Sequence, residues 1–200
     1  MNVLTCDIPG LLILEPKVFG DARGFFLETW NRRRYAEAGL NADFVQDNVS
    51  FSRRGILRGL HFQNPNPQGK LLQVLAGEVF DVAVDIRRSS PTFGKWHGLL
   101  LSGENKRQFY VPPGFAHGNL FLEDTTIEYL CTGEYSQGCE AGVSPLDPGL
   151  DWSLCKPEVR ATAKEVLAGR IVISEKDRKG LSLADWLKDP RSENFVYGKC

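Results

Sequence analysis

Gly55-Ile56-Leu57-Arg58-Gly59-Leu60-His61-Phe62-Gln63, followed seven residues later by Lys70, is the stretch on which the fold of this chain turns. Successive side chains of a strand point to opposite faces, so a strand here puts Leu57, Gly59, His61 and Gln63 on one face. Arg58, Leu60 and Phe62 then take the other. A histidine on an apolar-flanked strand, with an arginine just before it and a lysine soon after, suits a general base beside anion-binding groups. It also suits a core histidine satisfied by a backbone carbonyl, because buried polar groups are ordinarily hydrogen-bonded for structural reasons alone. The stretch by itself leaves both readings open.

Outward from this strand, short apolar segments alternate with glycine and proline, the texture of an all-β domain. Strands are predicted at residues 11–15, 25–30, 43–52, 56–63, 71–75, 78–86, 97–101, 108–111, 118–122 and 125–131. Gly20-Asp21-Ala22-Arg23-Gly24 reads as a turn, and residues 31–38 as one short helix stopped at Gly39. After Trp152 the pattern changes. Residues 157–167 predict a helix with Val159, Ala163, Val166 and Leu167 as its apolar stripe, 171–173 a strand and 182–187 a short helix. The polar tail from Lys188 predicts a loosely held end. The architecture expected is mainly β, a sandwich or barrel, with a few short helices, mostly C-terminal. Residues 1–180 form its single domain and 181–200 a C-terminal helix and tail extension.

Two hundred residues suit one domain with a sizeable core. A formal net charge of −1 gives no whole-protein field to draw the chain to nucleic acid or a membrane surface. No apolar run approaches the length of a bilayer span, and Met1 to Asp7 lacks a basic region leading into an apolar core. The five cysteines (Cys6, Cys131, Cys139, Cys155, Cys200) are odd in number, scattered and without a CxxC pair, which argues against a disulfide framework or a zinc knuckle. The expectation is a cytoplasmic protein.

Pro112-Pro113-Gly114-Phe115-Ala116-His117 fits the second motif of the cupin barrel, a double-sheet jelly roll, and His61-Phe62-Gln63 stands where metal-binding cupins carry H-x-H. With Gln63 replacing the second histidine and no glutamate following, a transition metal would be left with two imidazoles and an amide, a poor ligand set. No metal and no cofactor is expected. His97, in Lys95-Trp96-His97-Gly98, reads as structural or surface. Inside a barrel, burial favours the neutral form of His61, which can accept a proton. Its orienting carboxylate could come from Asp81, Asp85 or Asp177. Lys70 could stabilise an enolate oxygen, or could be a solvated surface charge. Arg23, Arg58, Gln46 and Asn48 offer donors of the kind a nucleotide diphosphate needs, and Tyr135 a ring for stacking on a base; each also has a plain surface reading.

Taken together, the chain resembles the dTDP-4-dehydrorhamnose 3,5-epimerase family, cupin-fold epimerases of 4-keto-6-deoxy nucleotide sugars. The matching stretches include Gly20-Asp21-Ala22-Arg23-Gly24-Phe25-Phe26, Phe44-Val45-Gln46-Asp47-Asn48, Leu57-Arg58-Gly59-Leu60-His61-Phe62-Gln63 and Gln68-Gly69-Lys70-Leu71. Gly114-Phe115-Ala116-His117-Gly118 and Ile173-Ser174-Glu175-Lys176-Asp177 complete the ordered run. The resemblance implies that His61 is the base, Asp177 its dyad partner and Lys70 the enolate-stabilising cation. It implies that Arg23, Glu28, Gln46, Asp47, Asn48, Arg58, His117, Glu140 and Lys176 contact the nucleotide sugar, with Tyr135 stacked on the nucleobase. It also implies a homodimer in which N-terminal strands cross the interface and carry some of these contacts.

One position departs from the family. Aligning Ile127-Glu128-Tyr129-Leu130-Cys131 with the strand that carries the family's acid tyrosine puts Cys131 in its place, with Tyr129 two residues back on the same face. A thiol is shorter and, if buried, ionises less readily. Three readings stand: an epimerase of a 4-keto-6-deoxy nucleotide sugar, acting at both centres or at C3 or C5 alone, on dTDP- or another carrier such as CDP; a non-catalytic nucleotide-sugar-binding cupin; and a metal-dependent oxygenase.

Overall fold

A computed structural model describes residues 1–4, 6–147, 168 and 171–199. One sheet runs in the order β1 (Asn2–Leu4), β2 (Leu12–Glu15), β10 (Gln108–Val111), β7 (Lys70–Ala76), β12 (Thr125–Cys131), β5 (Gln46–Ser52). The other runs β13 (Glu140–Gly142), β6 (Ile56–Gln63), β11 (Phe115–Phe121), β8 (Glu78–Asp85), β9 (Trp96–Ser102), with β14 (Val172–Ile173) added in parallel to β6. A separate ribbon pairs β3 (Val18–Asp21) with β4 (Gly24–Leu27). The α-helices bounded among the described residues are α1 (Arg32–Glu37), α2 (Glu175–Arg178) and α3 (Leu183–Lys188), each begun by a side chain that caps a free backbone N–H: Asn31, Ser174 and Ser182. The predicted helix at 157–167 lies outside the described residues. The sequence expectation of a cupin-type double sheet holds.

Alternation distributes the core into layers. Leu72 and Val74 of β7, Val79 and Ala83 of β8, Phe109 of β10, Phe121 of β11 and Ile127 of β12 meet between the sheets. The opposite face of β8 (Phe80, Val82, Val84) is buried as well, against Leu57, Leu60, Trp186 and Phe195. Leu71, on the outer face of β7, joins Leu14, Tyr35 and Leu40 under α1. A strand buried on both faces needs a cover on each side, and for the second sheet that cover is the C-terminal segment.

The tail from Lys188 is therefore not loosely held, contrary to the sequence expectation. Residues Pro190–Asn194 form a 3-10 turn, and the buried Phe195 ring lies 5.7 Å from that of Phe62 and 5.9 Å from that of Trp186. Trp186 Nε1 donates to the Ile86 carbonyl at 2.8 Å, and Arg88 N to the Phe195 carbonyl at 2.7 Å. Polar composition concealed two aromatic anchors. Phe195→Ala should cost about 3 kcal/mol or more, the usual range for emptying a buried aromatic site. A denaturant midpoint unchanged from the parent protein would place Phe195 outside the core.

The opening strand departs from strict alternation. His61 pairs with His117 across β6 and β11, but Arg58 pairs with Asn119, so one extra residue of β6 is accommodated between them. The irregularity falls at Gly59, whose φ of +110° only glycine adopts easily, and a Cβ there would lie 2.6 Å from the His117 carbonyl oxygen. Arg58 thereby shares the inward face with His61, whereas the sequence reading put them on opposite faces. Leu57, Leu60 and Phe62 face the other way, into the core under the C-terminal segment.

Candidate active site

Towards one end of the sandwich the inward positions become polar. The first sheet contributes Gln46, Asn48 and Ser50 of β5, Lys70 of β7, and Tyr129 and Cys131 of β12. The second contributes Arg58 and His61 of β6 with His117 and Asn119 of β11. They enclose two adjoining cavities, an inner one of about 130 Å³ and an outer one of about 280 Å³ whose mouth carries Gln68, Tyr135 and Glu140. His61, Lys70 and Tyr129 line both.

His61 Nε2 donates to Asp177 Oδ1 at 2.7 Å, and the other carboxylate oxygen accepts the Gly59 N–H at 3.2 Å. Asp177 sits in the first turn of α2, where the Ser174 cap fixes the backbone, and its side chain is 5% exposed. With Nε2–H committed to the carboxylate, Nδ1 is the unprotonated nitrogen of the neutral ring. Burial pushes the His61 pKa below its ordinary 6.5 and outweighs the opposing pull of Asp177, so at neutral pH the ring is the proton-accepting form. Asp81 and Asp85, the other carboxylates weighed for this role, are engaged elsewhere. Asp81 takes the His117 Nε2 hydrogen at 2.8 Å and also bonds Asn119. Asp85 is held by Arg87, Ser90 and Thr92.

Across the cavity, Lys70 is no surface charge. Burial depresses its pKa, with Cys131, Asp81 and Glu140 pulling the other way, and its ammonium has no hydrogen-bond or ion-pair partner among the described residues. An anion arriving beside it relieves that penalty. Arg58 on the same inner wall is likewise without an ion pair among the described residues. The Cys131 thiol accepts from Asn48 Nδ2 at 3.7 Å; burial raises its pKa despite Lys70 opposite, so it stays protonated.

Gln63 has a structural role. Its amide donates to the Asn66 carbonyl at 2.9 Å and accepts from Ser136 N at 2.8 Å, tying down the loop that carries Tyr135. Gln46 accepts from Tyr135 N at 2.7 Å. Lys176 pairs with Glu140 at the outer mouth. No group of three histidine, cysteine or acidic side chains suited to a metal is found among the described residues.

Three sequence-predicted residues lie apart. Arg23 is exposed at the tip of the β3–β4 ribbon, bonded to Asp21. Glu28 lines a separate, open depression of about 500 Å³ near the N-terminus and bonds Arg34 at 3.1 Å. Asp47 points outward from β5. Conversely, Ser50 and Asn119 line the cavity without having been singled out. Both follow from continuing the two-residue period, from Asn48 to Ser50 and from His117 to Asn119.

The family model described as dTDP-4-dehydrorhamnose 3,5-epimerase matches residues 5–185. The chain belongs to this family. A dTDP-4-dehydrorhamnose 3,5-epimerase from Methanothermobacter thermautotrophicus is 47% identical over 194 residues, covering 96% of this chain and 95% of its own. The solved structure of the epimerase from Legionella pneumophila, in complex with dTDP-4-keto-L-rhamnose, superposes with a TM-score of 0.83 at 47% identity, covering 96% of each chain. A 3'-monoepimerase from Streptomyces bikiniensis, bound to dTDP-quinovose, superposes with a TM-score of 0.79 at 30% identity over 92% of this chain and 88% of its own.

Proposed function

We propose that this chain epimerises a dTDP-linked 4-keto-6-deoxy sugar at the carbons flanking its ketone. The observation that carries the reading is a histidine backed by a buried carboxylate at 2.7 Å, sharing one cavity with a lysine that has no hydrogen-bond or ion-pair partner among the described residues. The ketone acidifies the neighbouring C–H bonds. His61 Nδ1 accepts such a proton, Asp177 stabilises the imidazolium, and Lys70 meets the charge that develops on the carbonyl oxygen. Carbon keeps its oxidation level, so the chemistry calls for no redox group. The diphosphate would meet Arg58 and the inner cavity's donors, and Tyr135 would stack on the base at the mouth.

The test is incubation with a 4-keto-6-deoxy dTDP-sugar in D₂O, followed by NMR. Deuterium should enter at C3 and C5 with inversion. Absence of exchange at both carbons would leave a binding module and refute the enzyme reading. Exchange at one carbon alone would select the second reading, a single-centre epimerase, which the thiol at position 131 favours.

The chain is also proposed to act as a homodimer. β5 is the edge of its sheet, and its outward face carries Val49 and Phe51, while the ribbon exposes Phe19, Phe25 and Phe26, the last 69% exposed. Apolar area of this extent is normally covered by a partner. A second copy laying its ribbon over this face would bring Arg23 and Glu28 to the neighbouring cavity, which they do not reach in their own chain. Sedimentation equilibrium should give twice the mass of one chain, and Phe26→Asp should shift it to the monomer; a monomeric parent protein would refute the proposal. No helix among the described residues is long and apolar enough to cross a membrane. The described cysteines Cys6, Cys131 and Cys139 are free thiols, which suits the cytoplasmic location proposed here.

A further inference from the structure

The inward face of β5 is polar along its whole length: Gln46, Asn48, Ser50 and Ser52 alternate with the outward Asp47, Val49 and Phe51. The first three line the two cavities. Ser52 lies one strand period deeper than Ser50 and is 1% exposed. Among the described residues, its hydroxyl is the one buried side-chain oxygen or nitrogen without a hydrogen-bond partner. Thr125, opposite it on β12, cannot serve. The Thr125 hydroxyl donates to the carbonyls of Glu78 and Glu123 and accepts the Glu78 N–H. A buried hydroxyl left alone is costly, and native folds meet it with an ordered water where a polar, roomy space adjoins. The inner cavity is such a space: it measures about 130 Å³, against roughly 30 Å³ for one water in the liquid. Ser50 and Arg58 on its wall have no hydrogen-bond partner among the described residues. Same-face neighbours on a strand stand about 6.5–7 Å apart, too far for the Ser50 and Ser52 hydroxyls to bond each other and near enough for water to join them.

We propose that Ser52 binds a buried water, and that this water and Ser50 form a hydrated floor of the inner cavity against which the substrate's diphosphate rests. The diphosphate contact depends on the function proposed above, which sets that group against Arg58; the water site does not. A bridging water holds an anion nearly as well as a direct hydrogen bond does. Hydroxyl and water both turn freely, so the floor can aim O–H groups at phosphate oxygens in the complex and accept from Arg58 without it. Arg58 and Lys70 already place two cations on this cavity. A neutral floor adds donors there without adding a third charge to repel them.

The experiment compares the parent protein with Ser52→Ala, using dTDP as the probe. A crystal structure of the parent should show a water about 2.5–3.0 Å from Ser52 Oγ, with or without dTDP. In titration calorimetry Ser52→Ala should bind dTDP about 3- to 10-fold more weakly, the usual worth of one hydrogen bond, and its thermal midpoint should not rise. With the 4-keto-6-deoxy dTDP-sugar, KM should rise by a similar factor at unchanged kcat, since the floor touches no reacting carbon. Absence of that water, dTDP binding by Ser52→Ala equal to the parent's, or a higher thermal midpoint in the variant overturns the inference. The last result would mark the hydroxyl as a plain orphan whose removal relieves the fold. A parent protein that holds the water yet binds no dTDP refutes the dTDP-sugar reading and the diphosphate contact with it, while the water site stands.

Discussion

His61→Ala is expected to abolish solvent exchange at every position of the sugar, with kcat/KM down about 10³–10⁴-fold, the upper range for loss of a positioned base. The size follows from the absence of a substitute. Asp177 is turned away towards Gly59 N–H and the imidazole, and His117, paired with His61 across the strands, has its Nε2 on Asp81. The folded state should tolerate the change, because the imidazole lines a cavity and packs in no core cluster. In the parent enzyme, kcat/KM should fall as pH drops through the His61 pKa. That limb lies below 6.5, since burial disfavours the imidazolium and the protonated ring cannot accept a proton. Retained exchange in His61→Ala, or an acid limb above 6.5 in the free enzyme, would remove His61 from the base role.

Lys70→Met keeps the length and apolar stem of the side chain and removes only the donor proposed to meet the developing enolate. The expected loss is about 10²–10³-fold in kcat, comparable with removing one oxyanion donor. KM should change little, because the interaction gains most of its strength only when charge appears on the ketone oxygen. Steady-state rates with the same nucleotide sugar separate the two parameters. A rise in KM with kcat unchanged would make Lys70 a ground-state binding group instead.

Much of this site was legible in the chain because strands encode their faces directly. The periods Gln46-x-Asn48 and Tyr129-x-Cys131, and the two histidine motifs, specify inward polar positions before any three-dimensional information. The choice of Asp177 over Asp81 and Asp85 was not legible from spacing, since the bond closes a loop of 116 residues; the resemblance alone pointed to it. The placement of Arg58 beside His61 failed for a local reason. Gly59 permits an irregular strand that alternation does not anticipate. The tail was misread because its composition is polar while its anchors, Trp186 and Phe195, are two isolated residues with no periodic pattern between them. The outward Asp47 and the distant Arg23 and Glu28 mark the limit of assigning contacts within one chain.

The hydrogen bond between His61 and Asp177 also ties the cavity to a late part of the chain. A ribosome has made most of both sheets well before it reaches Asp177, and the aromatic anchors that hold the α2 region against β6 come later still, at Trp186 and Phe195. A chain shortened before Asp177 lacks the carboxylate that bonds the His61 ring, and it also loses the Trp186 and Phe195 cover of the second sheet.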